Sequence, residues 1–96
     1  MAGNFLTIDR TSRSVIVNGR RIRLSPKEYS LLEYFLQNKN SVVKRKKLLE
    51  NIWKYAPDID SRVVDVYVGY LRKKIEQGPT KKIIHSVRGL GYMFKD

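Results

Sequence analysis

Ninety-six residues with 42% hydrophobic content are enough for one small core and leave no room for a second domain. Twenty Lys and Arg against nine Asp and Glu give a net charge of +11, which favours a polyanionic partner, either nucleic acid or an acidic membrane surface. There is no cysteine, hence no disulfide framework or thiolate metal site, and no apolar run approaches the roughly 20 residues of a membrane span.

In chain order, Met1-Ala2-Gly3-Asn4 reads as the end of an interdomain linker or a cloning remnant, not as a secretion signal, and a single domain is expected over residues 5–96. Residues 5–9 and 14–18 alternate apolar and polar at period two, the mark of a β-hairpin. Asn18-Gly19, a strong two-residue turn signal, leads into a third strand over 20–24, so a small antiparallel sheet is expected with its arginines in solvent. Ser25-Pro26-Lys27-Glu28 then starts a helix: Ser25 is the N-cap, Pro26 the first helical residue, and Glu28 completes a capping box. Its buried face is expected to be Tyr29, Leu32, Phe35 and Leu36.

Val42-Val43 suits a short bridging strand, and Leu48, Leu49, Ile52 and Trp53 give a second amphipathic helix beginning at Lys44 or Arg45. Four cations, Lys44 to Lys47, crowd the end where a helix dipole prefers acids. A phosphate nearby would relieve this, and a solvated basic patch is the equal alternative. Residues 54–60 contain Ala56-Pro57-Asp58 and form an exposed loop ending in Asp60 or Ser61 as cap of a third helix.

That third helix is the most informative stretch. Val64, Val68, Leu71 and Ile75 fall on one stripe and face the core, whereas Arg62, Val66, Gly69 and Lys73 lie opposite, with Tyr70 at the edge. Small, apolar and cationic side chains together suit a helix that reads a major groove, where thymine methyls stand beside hydrogen-bonding base edges. Packing of Val66 and Tyr70 against a loop or a second subunit is the other reading. After Gly78-Pro79-Thr80, a sharp stop, two strand-like runs at 83–87 and 92–94 flank Arg88-Gly89-Leu90-Gly91. This is a hairpin whose glycines supply positive φ and permit close backbone approach.

Catalysis finds little support. His85, the one histidine, stands in a strand without a nucleophile beside it, and the acids are scattered singly. The glycine-tipped hairpin matches neither a P-loop nor a dinucleotide fingerprint. No enzyme activity, cofactor or metal is expected.

The ordered set of sheet, capped helix, short helix, loop, mixed-face helix and glycine-tipped hairpin is the layout of an α+β winged helix-turn-helix. The chain resembles the DNA-binding output domain of OmpR/PhoB-family two-component response regulators, through 24–32 (Leu-Ser-Pro-Lys-Glu-Tyr-Ser-Leu-Leu), 48–53, 64–75 and 87–94 (Val-Arg-Gly-Leu-Gly-Tyr-Met-Phe). The resemblance implies a cytoplasmic transcription regulator that binds double-stranded DNA, commonly at tandem direct repeats, with the third helix in the major groove and the hairpin wing at the neighbouring minor groove. It places Val66, Gly69 and Tyr70 at base edges, Arg62, Tyr67 and Lys73 at the backbone, and Arg88 on the wing; Asp65 and Arg72 orient the helix. Tyr55, Asp58 and Ile59 fall in the loop that touches RNA polymerase in such proteins, although Tyr55 and Ile59 also suit covering the core. A sensor kinase would act only through a receiver domain that has no counterpart in these residues. Two departures stand out: Gly69 and Tyr70 occupy positions where relatives often carry basic residues, and Lys44 replaces a small polar cap. A basic RNA-binding or ribosomal protein is the competing class, which accounts for the charge but not for the mixed-face helix.

Overall fold

A computed structural model describes residues 6–54, 60–76 and 82–95. Met1 to Phe5, the expected loop residues Tyr55, Asp58 and Ile59, and the Gly78-Pro79-Thr80 stop lie outside the described residues.

Three antiparallel strands open the chain: β1 (Leu6–Asp9), β2 (Ser14–Val17) and β3 (Arg20–Arg23), in the order β1-β2-β3. Asn18 and Gly19 have φ of 51° and 82°, the double positive φ of a turn matched to strand twist, and Val17 pairs directly with Arg20 across it. Ile8, Val15 and Ile22 form one cross-strand row against the core. The arginines of β3 are exposed, yet Arg21 does more than meet solvent. It donates to Asp9 Oδ2 at 3.0 Å, Ser12 Oγ at 3.0 Å and Ser14 Oγ at 2.7 Å, clasping the first hairpin. That hydrogen bond holds the Asp9 carboxyl below its usual value.

Helix α1 (Pro26–Gln37) begins with the expected capping box: Ser25 Oγ accepts from the Glu28 N–H at 3.2 Å, and Glu28 Oε1 accepts from the Ser25 N–H at 2.9 Å. Its buried side includes Tyr29, Leu32 and Phe35, but Leu31 takes the place expected for Leu36, which is half-buried. The reason is that α1 touches a helix, a strand and a π turn at once, so its buried arc is wider than a single stripe.

Strand β4 (Val42–Lys44) leads into helix α2 (Arg45–Leu48), which runs on as a π-helical turn over Leu49–Trp53. Leu48, Ile52 and Trp53 are buried, while Leu49 is half-buried. Lys44 gives α2 no side-chain cap; instead the Arg45 N–H points to the Leu90 carbonyl at 3.4 Å.

In α3 (Arg62–Ile75), Val64, Val68, Leu71 and Ile75 are all buried, as the stripe required. Its start is tied by Asp60, whose Oδ1 accepts from the Arg62 N–H at 2.9 Å, whereas Ser61 makes no side-chain cap. Strands β5 (Ile84–Val87) and β6 (Gly91–Phe94) complete a second sheet in the order β4-β6-β5. Its two tip glycines differ in purpose. Gly89 has φ of 77°, whereas Gly91 is required by space, since a Cβ there would stand 2.1 Å from the Val43 carbonyl oxygen of β4. The core is shared by both sheets and all three helices, with Phe35 and Phe94 its largest fully buried side chains.

Candidate nucleic-acid interface

Because the core stripe fixes the rotation of α3, its opposite face is fixed as well. Val66 and Tyr70 are each 46% exposed, and Arg62 and Lys73 are exposed one turn to either side. Gly69 lies between them, and a Cβ built there would meet nothing within 4 Å. So the structure brings Arg62, Val66, Gly69, Tyr70 and Lys73 onto one outward face.

Tyr67 is set differently. It is half-buried, its ring edge-on to Trp53 with centroids 5.4 Å apart and edge-on to Tyr70 at 5.3 Å. Trp53 is buried and has the Lys27 ammonium 5.8 Å over its ring, and Lys27 Nζ donates to the Ile52 carbonyl at 2.9 Å. Tyr70 therefore rests on a column of aromatic rings rooted in the core. Arg62 is paired with Asp60, donating to Oδ2 from Nε at 2.8 Å and Nη2 at 2.6 Å. This exposed pair holds the Asp60 carboxyl below its usual value and is weak enough for a phosphate to replace it.

The other polar groups of α3 are used inside the protein. Asp65 accepts from Arg45 Nε at 3.1 Å and from the Tyr92 hydroxyl in a short hydrogen bond. Burial first, then the Asp65 carboxylate, pushes the Tyr92 phenol up and keeps it a donor. Arg72 donates to the Ile84 carbonyl from Nε at 3.2 Å and Nη2 at 2.7 Å, reaches Ser86 Oγ at 3.0 Å, and lies over the Tyr92 ring. Both residues fasten α3 to the β5–β6 hairpin.

Arg88 sits at the exposed tip of that hairpin and has no ion pair or hydrogen-bonded side-chain partner among the described residues, while Asp65 is taken by Arg45 and Tyr92. Leu90 beside it, to which the motif assigns no role, is 53% exposed while its carbonyl faces the start of α2. A glycine on each side was the available signal. Of the basic run before and within α2, Arg45 serves Asp65 and is raised in pKa by that charge, whereas Lys44, Lys46 and Lys47 remain exposed. No group of three His, Cys, Asp or Glu side chains able to hold a metal occurs among the described residues, and no helix there is long and apolar enough to cross a membrane.

A family model described as "Transcriptional regulatory protein, C terminal" matches residues 19–94. Response regulator ArlR of Staphylococcus aureus is 41% identical over 92 residues, which are 96% of this chain and 42% of that protein. Among solved structures, the response regulator DrrB, a Thermotoga maritima OmpR/PhoB homologue, superposes with a TM-score of 0.86 at 37% identity, covering 100% of this chain and 44% of that one. The DNA-binding domain of Klebsiella pneumoniae RstA, solved in complex with the RstA box, gives a TM-score of 0.84 at 32% identity, covering 99% of this chain and 95% of that one. This chain thus spans less than half the length of ArlR or DrrB and nearly all of the RstA domain. With a winged-helix fold, a mixed outward helix face and these relatives, the chain belongs to the OmpR/PhoB family of response regulators as a DNA-binding effector domain, a transcription regulator and not an enzyme.

Proposed function

We propose that α3 enters the major groove of duplex DNA, with Val66, Gly69 and Tyr70 at the base edges and Arg62 and Lys73 at the flanking phosphates. Tyr67 supports Tyr70 and offers its hydroxyl to the backbone. The wing carries Arg88 into the adjacent minor groove, where narrow A/T-rich segments concentrate negative potential. The observation that carries this reading is the division of labour on α3: Asp65 and Arg72 are bonded inward, while Val66 and Tyr70 stay half-exposed between cations. RstA, at 32% identity, was solved on its own DNA box, and AdeR, at 27% identity, on an intercistronic region. In the cell we assign this domain to the cytoplasm, to tandem direct repeats as its sites, and to a longer protein whose receiver domain answers a sensor kinase. The loop carrying Tyr55, Asp58 and Ile59 is assigned to RNA polymerase.

Competition between a random duplex library and structured RNA, at several salt concentrations, tests the reading. Sites should be selected from the duplex pool, with log K falling by about 0.9 per phosphate neutralised as log salt rises. Preference for RNA, or affinity flat with salt, would overturn it.

A further inference from the structure

Gly69 has no explanation inside the fold. A glycine in a helix interior costs about 0.5–1 kcal/mol relative to alanine, and α3 runs unbroken from Arg62 to Ile75 around it. Its φ is not positive, and an added Cβ would touch nothing within 4 Å. Gly91 shows the contrast, since there the chain's own backbone forbids a side chain. No contact within the chain accounts for the glycine, and its missing side chain leaves the α3 backbone open to close approach from outside.

The neighbours say what kind of surface. Val66 and Tyr70 lie one turn apart and are 46% exposed. The Tyr70 ring lies 5.3 Å from Tyr67, which itself lies 5.4 Å from buried Trp53, so it presents an apolar wall backed by the core. Between Arg62 and Lys73 this face carries no Arg, Asn or Gln to make the bidentate contacts that read guanine or adenine; Arg72 is committed to Ile84 and Ser86. The one apolar group a major groove displays is the C5-methyl of thymine. A second copy of the chain is a poor occupant, because each copy carries a net charge of +11, whereas a duplex complements that charge.

We propose that Val66, Gly69 and Tyr70 form a cradle for thymine methyl groups, so that the centre of each half-site is rich in thymine and is read by methyl contact. Gly69 lets the helix backbone descend onto one methyl, and Val66 and the Tyr70 ring close on its neighbours. This rests on the major-groove placement of α3 proposed above and adds the base chemistry that α3 selects.

The test uses duplexes selected by the chain from a random pool. Each thymine of the half-site is replaced singly by deoxyuridine, which deletes the methyl and leaves the pairing and hydrogen-bonding edges intact, and Kd is read by fluorescence anisotropy at fixed salt. One or more central positions should lose about three- to tenfold in affinity, the scale of one buried methyl. In Val66→Ala or Tyr70→Ala, shown folded by circular dichroism, the deoxyuridine penalty at the position under the deleted side chain should vanish. Sequence-specific binding in which every deoxyuridine duplex stays within about twofold of the parent, or selected sites without central thymine, would overturn the cradle while leaving the groove reading intact. Binding with no sequence preference would overturn both.

Discussion

In the proposed cradle the interests of the fold and of the interface oppose each other at position 69, and a single methyl separates them. Nothing in the chain would meet a Cβ there, so Gly69→Ala should stabilise the domain by about 0.5–1 kcal/mol, through helix propensity alone. In the proposed cradle the same methyl would stand where a base edge comes closest, and intrusion into a packed contact costs about 1–3 kcal/mol. Affinity for a selected duplex should therefore fall by about tenfold or more. Urea denaturation and anisotropy on one preparation check both halves, and unchanged or improved affinity in the stabilised variant would show that no DNA approaches Gly69. Glu28 illustrates the opposite case, a residue whose purpose is internal. Burial alone would push its carboxyl up, but Lys74 at 2.6 Å and the Ser25 N–H overcome this and hold it below its usual value.

Between elements, the joint on which the proposed binding mode depends is the one linking α3, α2 and the wing. Arg45 from α2 and Tyr92 from β6 converge on Asp65 of α3, while Arg72 grips β5, so the wing's bearing relative to the helix is set by side-chain hydrogen bonds as well as by core packing. Glu76, just past α3, adds to this by accepting from the Ile83 and Ile84 N–H groups at 2.7 and 2.8 Å. Tyr92→Phe keeps the ring under Arg72 and deletes only the hydroxyl. It should cost about 0.5–1.5 kcal/mol of stability, the net contribution of a typical hydrogen bond, or up to about 3 because the acceptor is charged. Duplex affinity should weaken with it, more on sites with A/T-rich flanks, where Arg88 in the proposed minor-groove position would contribute most. Chemical denaturation together with binding to flank-swapped duplexes measures this, and an affinity loss independent of the flank would detach the joint from minor-groove contact.

Across the whole molecule, what was legible in the sequence was whatever depends on local pattern. The capping box at Ser25 and Glu28, the Asn18-Gly19 turn and the α3 stripe each rest on residues within about four positions of one another, the range over which helix and turn rules act. What was missed depends on partners far along the chain. Leu31 rather than Leu36 is buried because α1 is enclosed on several sides, and the π turn before Lys54 has no periodicity of its own to announce it. The convergence of Arg45 and Tyr92 on Asp65 spans 20 and 27 positions, so spacing could not display it. The candidate reading face was visible in outline, because a core stripe on a helix also determines which residues are left outside.

The central claim is that this face of α3 lies in a major groove with the wing at the adjoining minor groove, and it can be mapped directly. The chain has no cysteine, so Val66→Cys and, separately, Arg88→Cys can each carry a tethered iron chelate that cuts DNA by hydroxyl radical. On a selected duplex, the probe at 66 should cut around the centre of the half-site with the strand stagger of attack from the major groove. The probe at 88 should cut in the flank with the opposite, minor-groove stagger. Strong binding with diffuse cutting from position 66, or minor-groove stagger from it, would contradict the account.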